Sequence, residues 1–236
     1  HIKKVLLTSY PSLACIHYAI KNKFNLIISY YKLIEENIYK IQIPLLEKLS
    51  LLSRGSIHIY ILDKSFFFSS IGISNTLNKH IYFKKKERIE FTKKSDNYVL
   101  GDISFPQDII DNSETLPDLK ELLSRIKINF NIEILPYVGK LEERIKKVCI
   151  LPNTNDDIEN HHFIEGLESH DIRCYLVSNI SQKNAFFAHE SNINLIKYPI
   201  FKLVSFCMES LTNNLSLEFP YDEFKFFNFT SPMTYY

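Results

Sequence analysis

The densest set of side chains able to hold a metal or move a proton in this 236-residue chain is Asp156, Asp157, Glu159, His161 and His162. A divalent ion needs imidazole nitrogens and carboxylate oxygens that converge on one point. Adjacent helical residues point about 100° apart, so His161 and His162 do not converge from a helix. The run fits better as a polar loop entering a helix, where acids offset the positive end of the peptide dipoles. A thiol–imidazole pair is the second option. Cys15 and His17 are close in sequence, but two positions apart on a helix they face away from each other. Cys207 has no local nucleophile signature. Neither thiol is read as catalytic.

A third feature is electrostatic. The stretch Lys79 to Lys94, KHIYFKKKERIEFTKK, holds seven Lys or Arg against two Glu, a local net of +5, which leaves −4 for the rest of a chain whose total is +1. Its candidate nucleic-acid contacts are Lys79, Tyr82, Phe83, Lys84, Lys85, Lys86, Arg88, Lys93 and Lys94. Cations neutralise phosphates, and aromatic rings stack on unpaired bases. The same composition also describes a solvated insertion carrying lysines for solubility, and both readings stay open.

The near-neutral total excludes a protein that coats nucleic acid with its whole surface. With 45% hydrophobic residues, the chain is able to bury a large core. Cys15, Cys149, Cys174 and Cys207 form no CxxC pair and each sits in an apolar run. They read as buried thiols in a reducing compartment, so a cytoplasmic location is expected. No run is long and apolar enough to span a bilayer, and no membrane partner is expected. The opening HIKKVLLTSYP lacks a signal-peptide pattern, and His1 in place of Met points to a start inside a longer product.

These side chains need elements to position them. Val5 to Leu7 is a short apolar strand. Ser9 is read as a helix cap and Pro11 as a first-turn residue, followed by Leu13, Ile16, His17 and Ile20 at helical spacing. Asn25 to Ser29 is the next strand, Pro44 to Ser53 a helix, and Ile57 to Leu62 a third strand. Continuous apolar strands separated by helices imply parallel pairing. Tyr98 to Phe105 reads as strand, Leu116 to Ile126 as an amphipathic helix, and Ile132 to Leu135 as strand. Ile145-Lys146-Lys147-Val148 then repeats Ile2-Lys3-Lys4-Val5, and the copy leads on to Cys174 to Ser178. The repetition within one supersecondary unit points to internal duplication. The expected fold is α/β with two pseudo-repeated halves, each a central sheet flanked by helices. The expected boundaries are 1–79, an intervening 80–140 holding the basic insertion, and 141–236.

Several segments resemble the NIF-three-like family, some members of which carry the description type 2 GTP cyclohydrolase I. Asn25 to Ile34, NLIISYYKLI, is similar to the family's strand that ends in two histidines. Ile59 to Leu77, IYILDKSFFFSSIGISNTL, is similar to a strand carrying His and Asp before a Gly-rich helix start. Tyr175 to Ile196, YLVSNISQKNAFFAHESNINLI, aligns without a gap to a further family stretch. Leu217 to Phe227, LEFPYDEFKFF, resembles its closing strand and tail. The resemblance covers nearly the whole chain, with the family's first strand and helix expected to be missing at the N-terminus.

The resemblance implies a dinuclear metal site, and the implied ligand positions hold other residues. Tyr30 and Tyr31 stand for two histidines, Asp63 and Phe67 for a His and a bridging Asp, and Ile200 and Val204 for a His and a Glu. Gln182 and Lys183 replace another His pair. Phe, Ile and Val offer no lone pair, so the metal and its activated water are expected to be gone, and no cofactor is expected. The expectation is a non-catalytic binding factor, with the basic stretch pointing to RNA and the ribosome as the most abundant RNA partner. A protein partner or homo-oligomer is the other partner expectation. The rivals are a residual nucleotide-binding enzyme, whose remodelled pocket would use Tyr30, Tyr31, Asp63, Gln182 and Lys183, and a structural subunit for an intact paralogue.

Overall fold

A computed structural model of the chain describes residues 2–34, 40–62, 64–92, 98–107, 116–152 and 172–231. The chain divides into two compact units, residues 1–66 with 201–236, and residues 67–200.

The first unit is built on a four-stranded, wholly parallel sheet. Strand β1 (Lys4–Thr8) pairs with β2 (Leu26–Ser29), and β2 pairs with β3 (His58–Ile61). The apolar run Val5-Leu6-Leu7 is buried throughout, as a parallel strand covered on both faces requires. Helix α1 (Leu13–Lys21) connects β1 to β2 and turns Cys15, Ile16 and Ala19 inward. Its cap is Ser12 and not Ser9: the Ser12 hydroxyl accepts from the Cys15 amide at 3.1 Å. Ser9 is engaged elsewhere. Its carbonyl accepts from the Tyr31 amide (3.0 Å), and its hydroxyl bonds that of Ser205 (3.1 Å). Helix α2 (Ile43–Arg54) carries Pro44 in its first turn, where a missing N–H costs nothing.

The second unit is a six-stranded mixed sheet. Short α3 (Lys64–Phe67) crosses from the first unit, and α4 (Ile73–Ile81) is followed by β4 (Phe83–Thr92) and β5 (Tyr98–Pro106), an antiparallel ribbon. Helix α5 (Leu119–Asn129) is capped by Asp118, whose carboxylate accepts from the Glu121 amide. Strands β6 (Tyr137–Val138), β7 (Val148–Ile150), β8 (Cys174–Val177) and β9 (Asn194–Lys197) complete the sheet in the order β4-β5-β7-β8-β9-β6. Its core joins Ile89 and Ile103 of the ribbon to Cys149, Tyr175 and Leu195. Helix α6 (Gln182–Glu190) links β8 to β9. Helix α7 (Ile200–Glu218) then returns the chain to the first sheet, where β10 (Glu223–Phe227) pairs with β1.

The two repeated tetrapeptides occupy equivalent places. Ile2 to Val5 leads into β1 beside parallel β2, and Ile145 to Val148 leads into β7 beside parallel β8. The fold is mixed α/β with two helix-flanked sheets.

Three sequence expectations change. Boundaries at 79 and 140 do not coincide with the units, because β10 rejoins the first sheet and the 80–140 region supplies strands to the second. The basic stretch is no insertion: most of it is strand β4, an edge of the six-stranded sheet. Ile132 to Leu135 is not a strand. The chain there is irregular, and pairing with β9 begins only at Tyr137. Gly139 just beyond has φ 137°, and a Cβ there would overlap the Asn194 side chain, so glycine is required.

Candidate functional site

In the first unit, Tyr30 and Tyr31 leave the carboxyl end of β2. Their rings meet edge to face at 5.1 Å between centroids, and Tyr30 also lies 6.3 Å from Phe66. Burial raises both phenol pKa values above the ordinary 10.0, and for Tyr30 the neighbouring Tyr31 and Cys207 add to it. Both side chains are therefore neutral phenols at neutral pH, and a neutral phenol is a poor ligand for a divalent ion.

The remaining implied ligand positions are apolar. Phe67, at the end of α3, is 2% exposed and packs edge to face on Phe68. Ile200 and Val204 stand one turn apart at the start of α7, the spacing at which two helical ligands would share a face. Val204 is fully buried, and Ile200 is half-buried. Packed hydrocarbon fills these places. The described donor set therefore does not fit a pair of divalent ions. Asp63 lies outside the described residues, as do Asp156, Asp157, Glu159, His161 and His162. Among the described residues, no group of three or more His, Cys, Asp or Glu converges in a way that could hold a metal.

Gln182 and Lys183 are exposed in the first turn of α6, behind the cap formed by Ser181 (3.1 Å to the Asn184 amide). They belong to the second unit, whereas Tyr30 and Tyr31 belong to the first. All four cysteines are buried, and none forms a disulfide. Burial pushes the Cys15 thiol up to about 12, while His17 on the same helix is exposed. An inert thiol facing the core and an imidazole facing out make no catalytic pair.

The basic ribbon is where charge is organised. Its key residue is Asp102 of β5, an acid inside the apolar run YVLGDISFP and 1% exposed. Lys85 reaches its carboxylate at 2.8 Å, Arg88 Nε at 3.0 Å, and the Ser74 hydroxyl of α4 at 2.7 Å. Lys85 and Arg88 are three apart, so in a regular strand they would point to opposite faces. A bulge resolves this. The register passes from Lys85 opposite Ser104 to Glu87 opposite Ile103, which leaves Lys86 as the extra residue. Arg88 then stands opposite Asp102, on the same face as Lys85. Without the bulge, Arg88 would leave the acid and Ile89 would leave the core. The Arg88 guanidinium also lies 4.2 Å from the Phe68 ring centre and donates to the Phe68 carbonyl.

This arrangement divides the candidate nucleic-acid contacts. Lys85 and Arg88 are committed to Asp102. Phe83 is 1% exposed, so its ring is a core side chain and offers no face to a base. Lys79, Tyr82, Lys84 and Lys86 are exposed. Lys86 rests over the Phe105 ring at 5.0 Å, and the Arg125 guanidinium lies 5.3 Å from the Tyr82 ring. Lys93 and Lys94 lie outside the described residues. Sequence reasoning missed Asp102, Ser74 and Phe68. The available signal was an acid amid strand residues with an excess of cations one strand earlier.

Comparison with known proteins agrees with this architecture. The family model described as Duf34/NIF3 (NGG1p interacting factor 3) matches residues 1–233. Among solved structures, a Staphylococcus aureus hypothetical protein, SA1388, has TM-score 0.74 and 16% identity over 100% of this chain and 88% of that one. A Bacillus cereus protein related to NIF3 has TM-score 0.75 and 11% identity over 100% and 90%. Reduced HcgD from Methanocaldococcus jannaschii has TM-score 0.73 and 17% identity over 97% and 84%. At these identities the structures show shared fold alone. A search of curated proteins found no match. No helix among the described residues is long and apolar enough to cross a membrane. With the family model matching nearly the whole of this chain and both sheets in place, the chain belongs to the Duf34/NIF3 family.

Proposed function

We propose that this chain is a metal-free, non-catalytic binding protein whose partner is RNA or an RNA–protein assembly, the ribosome first among them. The observation that carries the non-catalytic part is the chemistry at the implied ligand positions. Phe67 and Val204 are buried hydrocarbon at 2% and 0% exposure. Without a metal there is no activated water and no Lewis acid.

The partner class rests on exposed cations near the end of α4 and along β4. Lys79, Lys84, Lys86 and Tyr82 are exposed, and among the described residues no acid forms a salt bridge with the three lysines. Exposed cations not spent on internal acids are free to displace counterions from a phosphate backbone. The ribosome enters as the most abundant RNA surface a cell offers.

Sedimentation with purified ribosomes tests the reading. The chain is expected to travel with ribosomal particles at low salt and to leave them steeply as salt rises. A Lys84→Glu/Lys86→Glu variant is expected to bind at least tenfold more weakly while unfolding at nearly the same temperature. Wild-type protein that stays at the top of a low-salt gradient beside intact ribosomes contradicts the ribosomal reading. Failure to retard a panel of structured and single-stranded RNAs contradicts RNA binding altogether.

A further inference from the structure

Two hydrogen bonds tie helix α4 and the turn after it to strand β5 and the residue that follows it. At one end the Ser74 hydroxyl donates to Asp102 at 2.7 Å. At the other, Tyr82 reverses the chain in the left-handed region (φ 59°), β4 leaves antiparallel to β5, and the Gln107 amide donates to the Tyr82 carbonyl at 2.9 Å. Four helical residues advance about 6 Å and two strand residues about 6.7 Å. The pair that follows Ser74 and Asp102 is therefore Asn78 and Ser104, on the same facing surfaces.

Both side chains are buried, Asn78 at 2% and Ser104 at 0% exposure. Asn78 Oδ1, Asn78 Nδ2 and Ser104 Oγ have no hydrogen-bond partner among the described residues. Three such atoms on two side chains that this spacing places opposite each other are not an arrangement a folded core leaves dry, because each would forfeit its solvation without return. The adjoining pair shows the contrast: every polar atom of Ser74 and Asp102 that faces inward is engaged, with Lys85 and Arg88 closing the set.

We infer that α4 and β5 enclose a bound water molecule bridging Asn78 and Ser104. Water supplies two donors and two acceptor sites, and so bonds an amide and a hydroxyl together where neither reaches the other. The polar lining and several partners are what a buried water requires. Lys85 stands opposite Ser104 in the ladder and Asp102 two residues along, which keeps the site inside the polar track of the ribbon and out of the hydrocarbon core. The water thus belongs to the structural support of the basic ribbon and does not depend on what the ribbon binds.

A crystal structure of the whole chain at a resolution that shows ordered waters decides this. The expected result is one peak at water density within hydrogen-bond distance of the Asn78 amide and of Ser104 Oγ. A direct Asn78–Ser104 bond with nothing between them overturns the inference, as does a peak whose density or coordination is that of a metal ion or chloride. Paired variants give a second readout. Asn78→Leu is expected to lower the melting temperature, since it expels the water and strands Ser104. Adding Ser104→Ala is expected to return at least half of that loss, because no polar group then remains to be satisfied. Losses that simply add contradict the bridge.

Discussion

Two places in this chain handle buried charge in opposite ways. At Phe67 and Val204 the family resemblance implies charged or metal-binding groups, and the chain has buried hydrocarbon. At Asp102 the chain keeps a carboxylate at 1% exposure and surrounds it with Lys85, Arg88 and Ser74. A buried charge is tolerated only with partners that compensate its lost hydration. Without a metal, a carboxylate at either position would be a buried charge with no partner, and an apolar side chain is the stable replacement. At the second place the partners come from the protein itself, so the acid persists.

The comparison breaks most visibly if charge is moved between the two places. Phe67→Ala is expected to cost about 3–5 kcal/mol, as large-to-small changes at buried aromatics do, and Phe67→Asp more, since it also buries a charge at a position 2% exposed. Urea unfolding of the two variants measures the difference. A Phe67→Asp variant as stable as wild type would mean the position is open to water or to a metal.

Asp102→Ala is expected to cost about 3 kcal/mol, near the low end for breaking a buried pair, because Lys85 and Arg88 are partly exposed and regain some water. Arg88→Met should cost less, on the order of 1–2 kcal/mol, since Lys85 still neutralises the acid. If Arg88→Met costs as much as Asp102→Ala, the two cations do not share the charge as the geometry says.

Alkaline pH probes the buried thiols. Burial raises the pKa of Cys15, Cys149 and Cys174 above the unfolded value of 9.0. Below that value both states are protonated and pH has no effect through these groups. Above it the unfolded state loses protons that the folded state keeps, so stability falls as pH rises toward about 12, where Cys15 itself ionises. Each thiol contributes a slope of roughly 1.4 kcal/mol per pH unit. Denaturation curves between pH 8 and about 11 should show the decline, and replacing Cys15 by Ala should make it shallower.

Smaller effects separate structural from surface groups. Ser12→Ala is expected to cost about 1 kcal/mol by removing the α1 cap, whereas Ser9→Ala acts through the Ser205 bond and leaves helix fraying unchanged. Lys84→Ala and Lys86→Ala should each change stability by less than about 0.5 kcal/mol while reducing retention on RNA.

Much of the first unit was legible in sequence, because Val5 to Leu7, Leu26 to Ser29 and the run at Ile57 are apolar strands separated by helices at 3.6 spacing. Helix α5 was legible for the same reason, from Leu119, Leu122, Leu123 and Ile126. The ribbon was not. Its bulge breaks the two-residue alternation at Lys86, and its inward cations serve an acid on the next strand, so the stretch reads as a solvated insertion. Likewise Ile132 to Leu135 resembles a strand, but only Tyr137 and Val138 find pairing partners. At the implied ligand positions, residue types were legible from the resemblance, but their burial was not. That Phe67 and Val204 are packed, and that Phe83 is core, depends on tertiary neighbours far away in the chain.

We propose that this member of the family has a packed, metal-free interior at the implied ligand positions. The most direct measurement is the metal content of native protein by elemental mass spectrometry after exhaustive dialysis. Near-zero zinc, iron, manganese and nickel per chain is expected. One or two metal ions per chain would contradict it and restore a metal-dependent activity to consideration.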